Sequence, residues 1–382
     1  MSYTEPDLMS PAEEQSVIRI LNVTLGLALP GCLRVAAELN IADHLADGPL
    51  SVTALAERTG SDPDNLRRIL RMLALNGIFT GTDDDSYRLS PDAEFLRRDH
   101  TCSQRDAVLT LTDNTYWSTI GQLNESVRGE LNFKKLFGKT FYEYQATKPN
   151  RNDSYNFPSG MSALSEMENY FVTRAYNFPS SCHIADIGGG EGSLLLRILR
   201  SDPTLTATLF DSPHVISDKY LSQLGDDSRW SLDGGDFFKS VPQADMYLLK
   251  KVIFNQDDAN ALAVLKNCRK AMKPGSKLLI IESVVHPETN PAAHYGMGIL
   301  CMAILPGGGE RTIPEFEALL AEAGLKINRL IPTECYISVL EVVAACSLIR
   351  HSASPDVLCH CKSPYVSCGA GSTGENITDF AV

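Results

Sequence analysis

The chain has 382 residues, of which 43% are hydrophobic and 21% charged, and its formal net charge is −13. At roughly 150 residues per domain there is room for two domains and a tail, and the composition excludes global disorder. So acidic a chain is a poor partner for nucleic-acid phosphates or an anionic membrane surface.

The first residues, MSYTEPDLMSPAEEQ, are acidic and polar and do not read as a secretory leader. Residues 15–45 follow as a long apolar, helical stretch with Pro30 as the expected break. No uninterrupted apolar run reaches about 18 residues, so no membrane span is expected. Apolar residues lie on more than one helical face, which calls for a partner on each side, and a homodimer is expected.

Over residues 51–90, Ser51 is positioned to cap a helix that stops at Gly60, and Ser61 to cap the next. That second helix runs through LRRILRMLALN to Gly77, and IFT, a GTDDDS turn and YRLS then read as a hairpin. Two helices and a two-stranded wing make a winged-helix arrangement. Residues 1–105, taken as an α-helical winged-helix dimerisation domain, hold 10 arginines, no lysine and 16 acidic residues. The wing tip carries Asp83, Asp84 and Asp85, which phosphate would repel, so packing is favoured over DNA binding.

Residues 106–165 read as a helical linker rich in aromatics, among them Trp117 and Phe141, some of which are candidates to line a pocket for a flat substrate. From 166 to 348 the texture is alternating strands and helices: HIADI, ATLFD, DMYLLK, KLLIIES and SVLEVVAAC, with SLLLRILR and ANALAVLKNCRKAM between them. This α/β pattern predicts a parallel, doubly wound, Rossmann-like sheet. Residues 349–382 lose all periodicity and are expected to be a disordered tail. Its Cys359, His360, Cys361 and Cys368 match no zinc spacing, and no metal is expected. The ten cysteines include several isolated in apolar segments (Cys32, Cys182, Cys268, Cys301), as expected of reduced thiols in a cytoplasmic chain.

The strongest local signal is Asp186-Ile-Gly-Gly-Gly-Glu-Gly192, between an apolar strand and an apolar helix. Gly188, Gly190 and Gly192 let the backbone turn tightly and approach a ligand. A carboxylate at Asp186 disfavours a pyrophosphate and suits a cationic sulfonium amino acid. The next strand ends in Asp211, where an acid can accept both ribose hydroxyls. Asp236 can meet an adenine amino group, Phe237 can cover the ring, and Lys250 ends the following strand. Four elements in this order outweigh a ligand-free glycine turn and point to S-adenosylmethionine.

These segments, with LFDSPHV, GDFF, GGGERT at 307–312 and GKTFYEYQATKPN at 138–150, resemble the small-molecule O-methyltransferases of the caffeic-acid and hydroxyneurosporene type. The resemblance spans roughly residues 15–345. It implies a winged-helix dimerisation domain followed by a class I methyltransferase domain. It also implies that Gly188 lies against the cofactor, Asp211 on its ribose, Asp236 and Phe237 on its adenine, and Lys250 at its amino-acid end or a neighbouring loop. Met161, Trp117 and Phe141 fall where such enzymes contact cofactor or substrate, and His294 falls on the substrate side.

The pattern breaks at one point. Active relatives place a histidine four residues after the lysine, as the base that takes the substrate's proton. Here Phe254 stands for the histidine, Asn255 for the aspartate and Gln256 for the tryptophan of that motif. Phenols have a pKa near 10, and a positioned base contributes on the order of 10²–10⁴ in rate. The two acids that orient the family histidine match Glu282 and Glu310. They are open to three readings: structural remnants, partners of Arg311 or His294, or a reassigned acid or base. Asn255 is a candidate substrate contact. Three function classes follow: methyl transfer by proximity to a small aromatic or polyketide-type metabolite, a cofactor-bound enzyme doing pericyclase- or hydroxylase-type chemistry with a fixed positive charge, and a non-catalytic scaffold.

Overall fold

The computed structural model describes residues 9–129, 132–147, 157–285, 292–305 and 308–345. The expected tail and its Cys359–Cys368 group lie outside the described residues. Helix α1 (Pro11–Leu25) starts at a capping box, in which Ser10 and Glu13 satisfy each other's backbone N–H groups. A turn at Gly26–Leu27 separates it from α2 (Ala28–Glu38). The break therefore precedes Pro30, which sits in the first turn of α2, where its missing N–H leaves no carbonyl unpaired. Counting uninterrupted apolar runs understated this region: Pro11–Glu38 is long and apolar enough, by length and composition, to cross a membrane. None of the α1 residues is buried, and Ile20 and Val23 are 69% and 76% exposed.

Helix α3 (Ile41–His44) and strand β1 (Leu50–Ser51) lead to α4 (Val52–Thr59), capped by Ser51 and closed by left-handed Gly60. Helix α5 (Pro63–Leu75) is capped by Asp62 rather than Ser61. Pro63 takes the first helical position, so the residue before it becomes the cap, and the Ser61 hydroxyl bonds Thr59 instead. Strands β2 (Phe79–Gly81) and β3 (Ser86–Leu89) form the hairpin, with β1 along the other edge of β3. Leu55, Leu70, Leu73, Phe79 and Tyr87 fill the core between these pieces. Asp85 at the hairpin turns back to pair with Arg67 of α5 at 2.7 Å.

Helices α6 (Arg105–Leu111), α7 (Asn114–Ile120), α8 (Leu123–Ser126), α9 (Asn132–Phe137) and α10 (Phe141–Thr147) lead to the long α11 (Phe157–Ala175). Then come β4 (His183–Ile187), α12 (Ser193–Ser201), β5 (Thr206–Asp211), β6 (Trp230–Gly234), β7 (Met246–Lys250), α13 (Asp258–Ala271), β8 (Lys277–Glu282) and β9 (Val284–Val285). Helix α14 (Ala292–Ile304), β10 (Arg311–Thr312), α15 (Ile313–Glu322), β11 (Leu325–Pro332) and β12 (Ser338–Ala344) complete the described chain.

Seven strands make one sheet in the order β11-β12-β8-β7-β4-β5-β6. The expectation of a purely parallel sheet is corrected at β12, which runs antiparallel to both β8 and β11. Only five residues join β11 to β12, enough for a hairpin and too few for a crossover. The alternation of strand side chains builds a core on each face: Ala185, Tyr247 and Leu249 against α13 and α15, and Ile184, Met246 and Leu248 against α12. From β4 the chain steps to β5 on one side, and β7 lies on the other. That switch opens a crevice beyond the carboxyl ends of β4 and β7, where α/β sheets place their ligands.

Candidate active site

The turn after β4 enters this crevice. Gly188 has φ 71°, and its N–H donates to the Phe210 carbonyl at 2.8 Å. A Cβ there would come within 2.8 Å of Val252, so both its conformation and its surroundings demand glycine. The Gly190 N–H donates to Asp211 Oδ2 at 2.8 Å, and Ser212 N–H to Oδ1 at 2.6 Å. Asp211 thus ties the end of β5 to the glycine loop.

Beside the loop lies a cavity of about 220 Å³, walled by Met161, Ser165, Glu168, Asp186, Lys250 and Lys251 together with Gly188–Gly190. Asp186 is 1% exposed and its Oδ1 has no hydrogen-bond partner among the described residues. Burial pushes its carboxyl up to about 7, against the pull of Lys250.

Another part of the lining carries charge. Lys250 Nζ donates to Ser165 Oγ and Asn169 Oδ1, both at 2.7 Å, and pairs with Glu168 at 3.0 Å. Lys251 pairs with the same carboxylate at 2.5 Å and donates to Tyr336 Oη at 2.8 Å. Tyr336 Oη in turn donates to Glu168. Burial alone would raise Glu168, but the ammonium groups of Lys251 and Lys250 outweigh it and hold the carboxyl at about 2. Two cations share one anion, leaving one net positive charge on that wall.

The loop after β7 is fastened from three sides. Glu282, 1% exposed at the end of β8, accepts the Phe254 N–H at 2.8 Å. Gly309 N–H donates to the Phe254 carbonyl at 2.8 Å. Arg311 donates to the carbonyls of Ile253 and Gln256 and to Asp258. Of the partners left open for the two acids, Arg311 reaches Glu282 only through its field. Burial drives Glu282 up to about 8 and also raises Glu310, whose Oε1 is buried without a hydrogen-bond partner among the described residues.

The cavity gathers Asp186, Gly188, Gly190, Met161 and Lys250, and its glycine loop touches Asp211. The ring of Phe237 flanks Gly188. Asp236 lies off the cavity wall, accepting the Phe238 N–H at 2.9 Å and pairing with Lys239 at 3.3 Å. Phe141 is packed in an aromatic cluster with Tyr116 and Phe133 against α14, and Trp117 is half-buried on α7. Phe254 is buried and is not among the residues walling the cavity. Asn255 is exposed, its amide turned back to the Lys251 carbonyl at 2.8 Å. Glu310 packs against Gly298 of α14. His294 belongs to α14, but its side chain lies outside the described residues.

Sequence reasoning missed Ser165, Glu168, Asn169, Lys251 and Tyr336. The first three follow helical spacing on one face of α11, and that periodicity was the signal available.

A glycine loop after β4, an acid at the end of β5 and a seven-stranded sheet with one reversed strand define a class I methyltransferase. The family model for the O-methyltransferase domain matches residues 117–326, and that for the O-methyltransferase dimerisation domain matches residues 21–99. Phenazine O-methyltransferase PhzM of Lysobacter antibioticus is 35% identical over 84% of this chain and 94% of its own. Mitomycin biosynthesis 6-O-methyltransferase of Streptomyces lavendulae is 35% identical over 84% and 91%. The solved structure of CalO1, a methyltransferase in calicheamicin biosynthesis in its SAH-bound form, has a TM-score of 0.80 at 30% identity, over 88% of this chain and all of that one. The chain belongs to the S-adenosylmethionine-dependent O-methyltransferases. Its dimerisation domain goes with a homodimer acting on a small molecule.

The residues fit that cofactor. The unpartnered Asp186 Oδ1 is an acceptor waiting for an ammonium group, and at Gly190 a side chain would meet nothing within 4 Å.

Proposed function

We propose that this protein methylates a hydroxyl of a small aromatic metabolite of the phenazine or hydroxynaphthoate kind, without a histidine base. The relatives support the substrate class: besides the phenazine enzyme, one is a 2,7-dihydroxy-5-methyl-1-naphthoate 7-O-methyltransferase from Streptomyces carzinostaticus, 32% identical. The observation that carries the reading is the lone Asp186 acceptor facing the glycine loop, in a cavity also lined by Lys250, Lys251 and Glu168. S-adenosylmethionine, when bound, supplies an electrophilic methyl group on a sulfonium.

Every other task falls to the chain. Asp186 receives the ammonium, Lys250 stands at the amino-acid end, Asp211 accepts from the ribose, and Asp236 and Phe237 serve the adenine. Met161, Trp117, Phe141 and His294 belong to the substrate side. Phe254 takes the base's position without a proton acceptor, so proximity and orientation carry the rate. Glu282 acts here as the acceptor that fixes the Phe254 backbone, and Glu310 supports α14. Asn255 braces its own loop.

Neither nucleic acid nor membrane is a partner in this reading. Arg67 of the winged helix is already neutralised by Asp85, and the apolar face of α1 is left for a second copy. Six free thiols among the described residues suit a cytoplasmic location.

Asp211→Ala tests the site. It removes the ribose acceptor and one tie of the glycine loop, and calorimetry should show S-adenosylmethionine affinity falling by about 2–4 kcal/mol. Unchanged affinity would move the cofactor elsewhere.

A further inference from the structure

A second cavity, of about 260 Å³, is bordered by three elements: Arg197 and Arg200 of α12, Glu166 of α11, and Tyr220 and Gln223 of the segment between β5 and β6. It meets the cofactor cavity at Ser193 and shares no other wall residue with it. The methyl-transfer reading uses none of its charged groups.

Helix α12 buries Leu194, Leu195, Leu196, Ile198 and Leu199, which leaves its two arginines, three residues apart, together on the remaining face. Both guanidinium groups are held by neutral partners. That of Arg197, half-buried, lies over the ring of Tyr170 at 5.5 Å from its centre. That of Arg200 donates to the Gln223 carbonyl at 3.3 Å. Tyr220 is also fixed, its hydroxyl 2.7 Å from that of Ser162. Nearby Lys219 is matched by Glu191 at 2.6 Å. Among the described residues neither arginine forms an ion pair, although Glu166 borders the same cavity. Two positive charges are thus held at the rim of one hollow with no carboxylate on them, and an anion that takes them finds part of the ordering cost already met.

We infer that this cavity is a second binding site, separate from the cofactor's, and that its ligand is inorganic phosphate. The two guanidinium groups supply the N–H donors that phosphate oxygens accept. Glu166 decides between anions. A carboxylate on the wall repels any oxyanion that has only acceptors, and it accepts a hydrogen bond from one that keeps a proton. Near neutral pH inorganic phosphate always carries at least one P–OH. Sulfate carries none, and a phosphate monoester above its second ionisation, about 6, has also lost its proton.

The test is calorimetry on the full-length protein saturated with S-adenosylhomocysteine, slightly above neutral pH and at constant ionic strength. The expected result is one phosphate bound per chain, with sulfate and glycerol 3-phosphate each about tenfold weaker or more. Arg197→Gln combined with Arg200→Gln should weaken phosphate by about tenfold or more, or 1.4 kcal/mol. Glu166→Gln should bring sulfate to within about threefold of phosphate. Arg68→Gln, at an exposed arginine of α5, should change nothing. S-adenosylhomocysteine affinity should stay within about threefold of wild type in every variant, which reports an intact fold. If the double variant fails that check, Arg200→Gln alone, at an exposed position, should still weaken phosphate by about threefold. No saturable phosphate binding, binding that survives loss of both arginines, or an equal loss in Arg68→Gln overturns the site. Sulfate or the monoester binding as tightly as phosphate to the wild type overturns the assigned ligand.

Discussion

Glu168 and Glu282 are each 1% exposed, yet they titrate in opposite directions. Glu168 faces two ammonium groups, whereas Glu282 faces backbone N–H groups and a more distant Arg311. Their effects on stability therefore have opposite signs. Glu168 is held at about 2, below its ordinary 4.5, so its contribution is complete above about 4.5 and is lost as pH falls toward 2. Glu282 is held at about 8, above its ordinary 4.5, so the folded state keeps a proton that the unfolded chain has released. Stability should fall as pH rises from about 4.5 to 8. Glu282→Gln keeps an oxygen for the Phe254 N–H and should flatten that alkaline slope in urea melts. Glu168→Gln leaves two lysines facing each other, and should cost about 3–5 kcal/mol at neutral pH. Equal slopes in wild type and Glu282→Gln would contradict the buried, protonated Glu282.

At the scale of elements, α11 forms one wall of the site and is set by its crossing with α6. A Cβ on Gly160 would lie 1.9 Å from Thr110 Oγ1 and 2.9 Å from the Asp106 carbonyl. Gly160→Ala must push α11 outward and should destabilise by about 1–3 kcal/mol. It should also weaken S-adenosylmethionine binding, because Ser165, Glu168 and Asn169 move with the helix. A thermal melt and a titration indistinguishable from wild type would show that the crossing does not set the wall. This crossing could not be read from sequence, because it depends on two segments fifty residues apart whose spacing carries no local pattern. The elements themselves were mostly legible. Ser51 and Gly60 bound α4 as expected, and the apolar strands β4, β5, β7, β8 and β12 fell where the patterns put them. The edge strands β6 and β11 did not, since WSLDG and LKINRLIP carry polar residues on their exposed faces and lack an apolar run. Within the site, the glycine loop, Asp211 and Lys250 are legible because their backbone and strand-end positions are fixed by short motifs. Lys251 and Tyr336 are not, since only the folded chain brings residues 251 and 336 to one carboxylate.

For the whole molecule, α1 leaves Val17, Ile18, Ile20, Leu21, Val23 and Leu25 more than half exposed on a helix with no buried residue. That much apolar surface needs a cover, and the dimerisation domain that includes residues 21–25 supplies the reason. Sedimentation at micromolar concentration should find dimer, and Ile20→Asp with Val23→Asp should shift it to monomer. A wild-type monomer would leave α1 without a partner.

The most direct measurement follows the methyl group. Wild type and Phe254→His are incubated with methyl-labelled S-adenosylmethionine and a panel of hydroxylated phenazines and naphthoates of graded acidity. The expected result is label in an O-methyl product of the wild type, one S-adenosylhomocysteine per product, and rates favouring the more acidic phenols. Phe254→His should not accelerate transfer to those phenols, and should impair it by wetting a buried position. Product formed while S-adenosylmethionine is recovered intact would contradict methyl transfer. Little transfer by the wild type and a marked rise in Phe254→His would contradict transfer without a base.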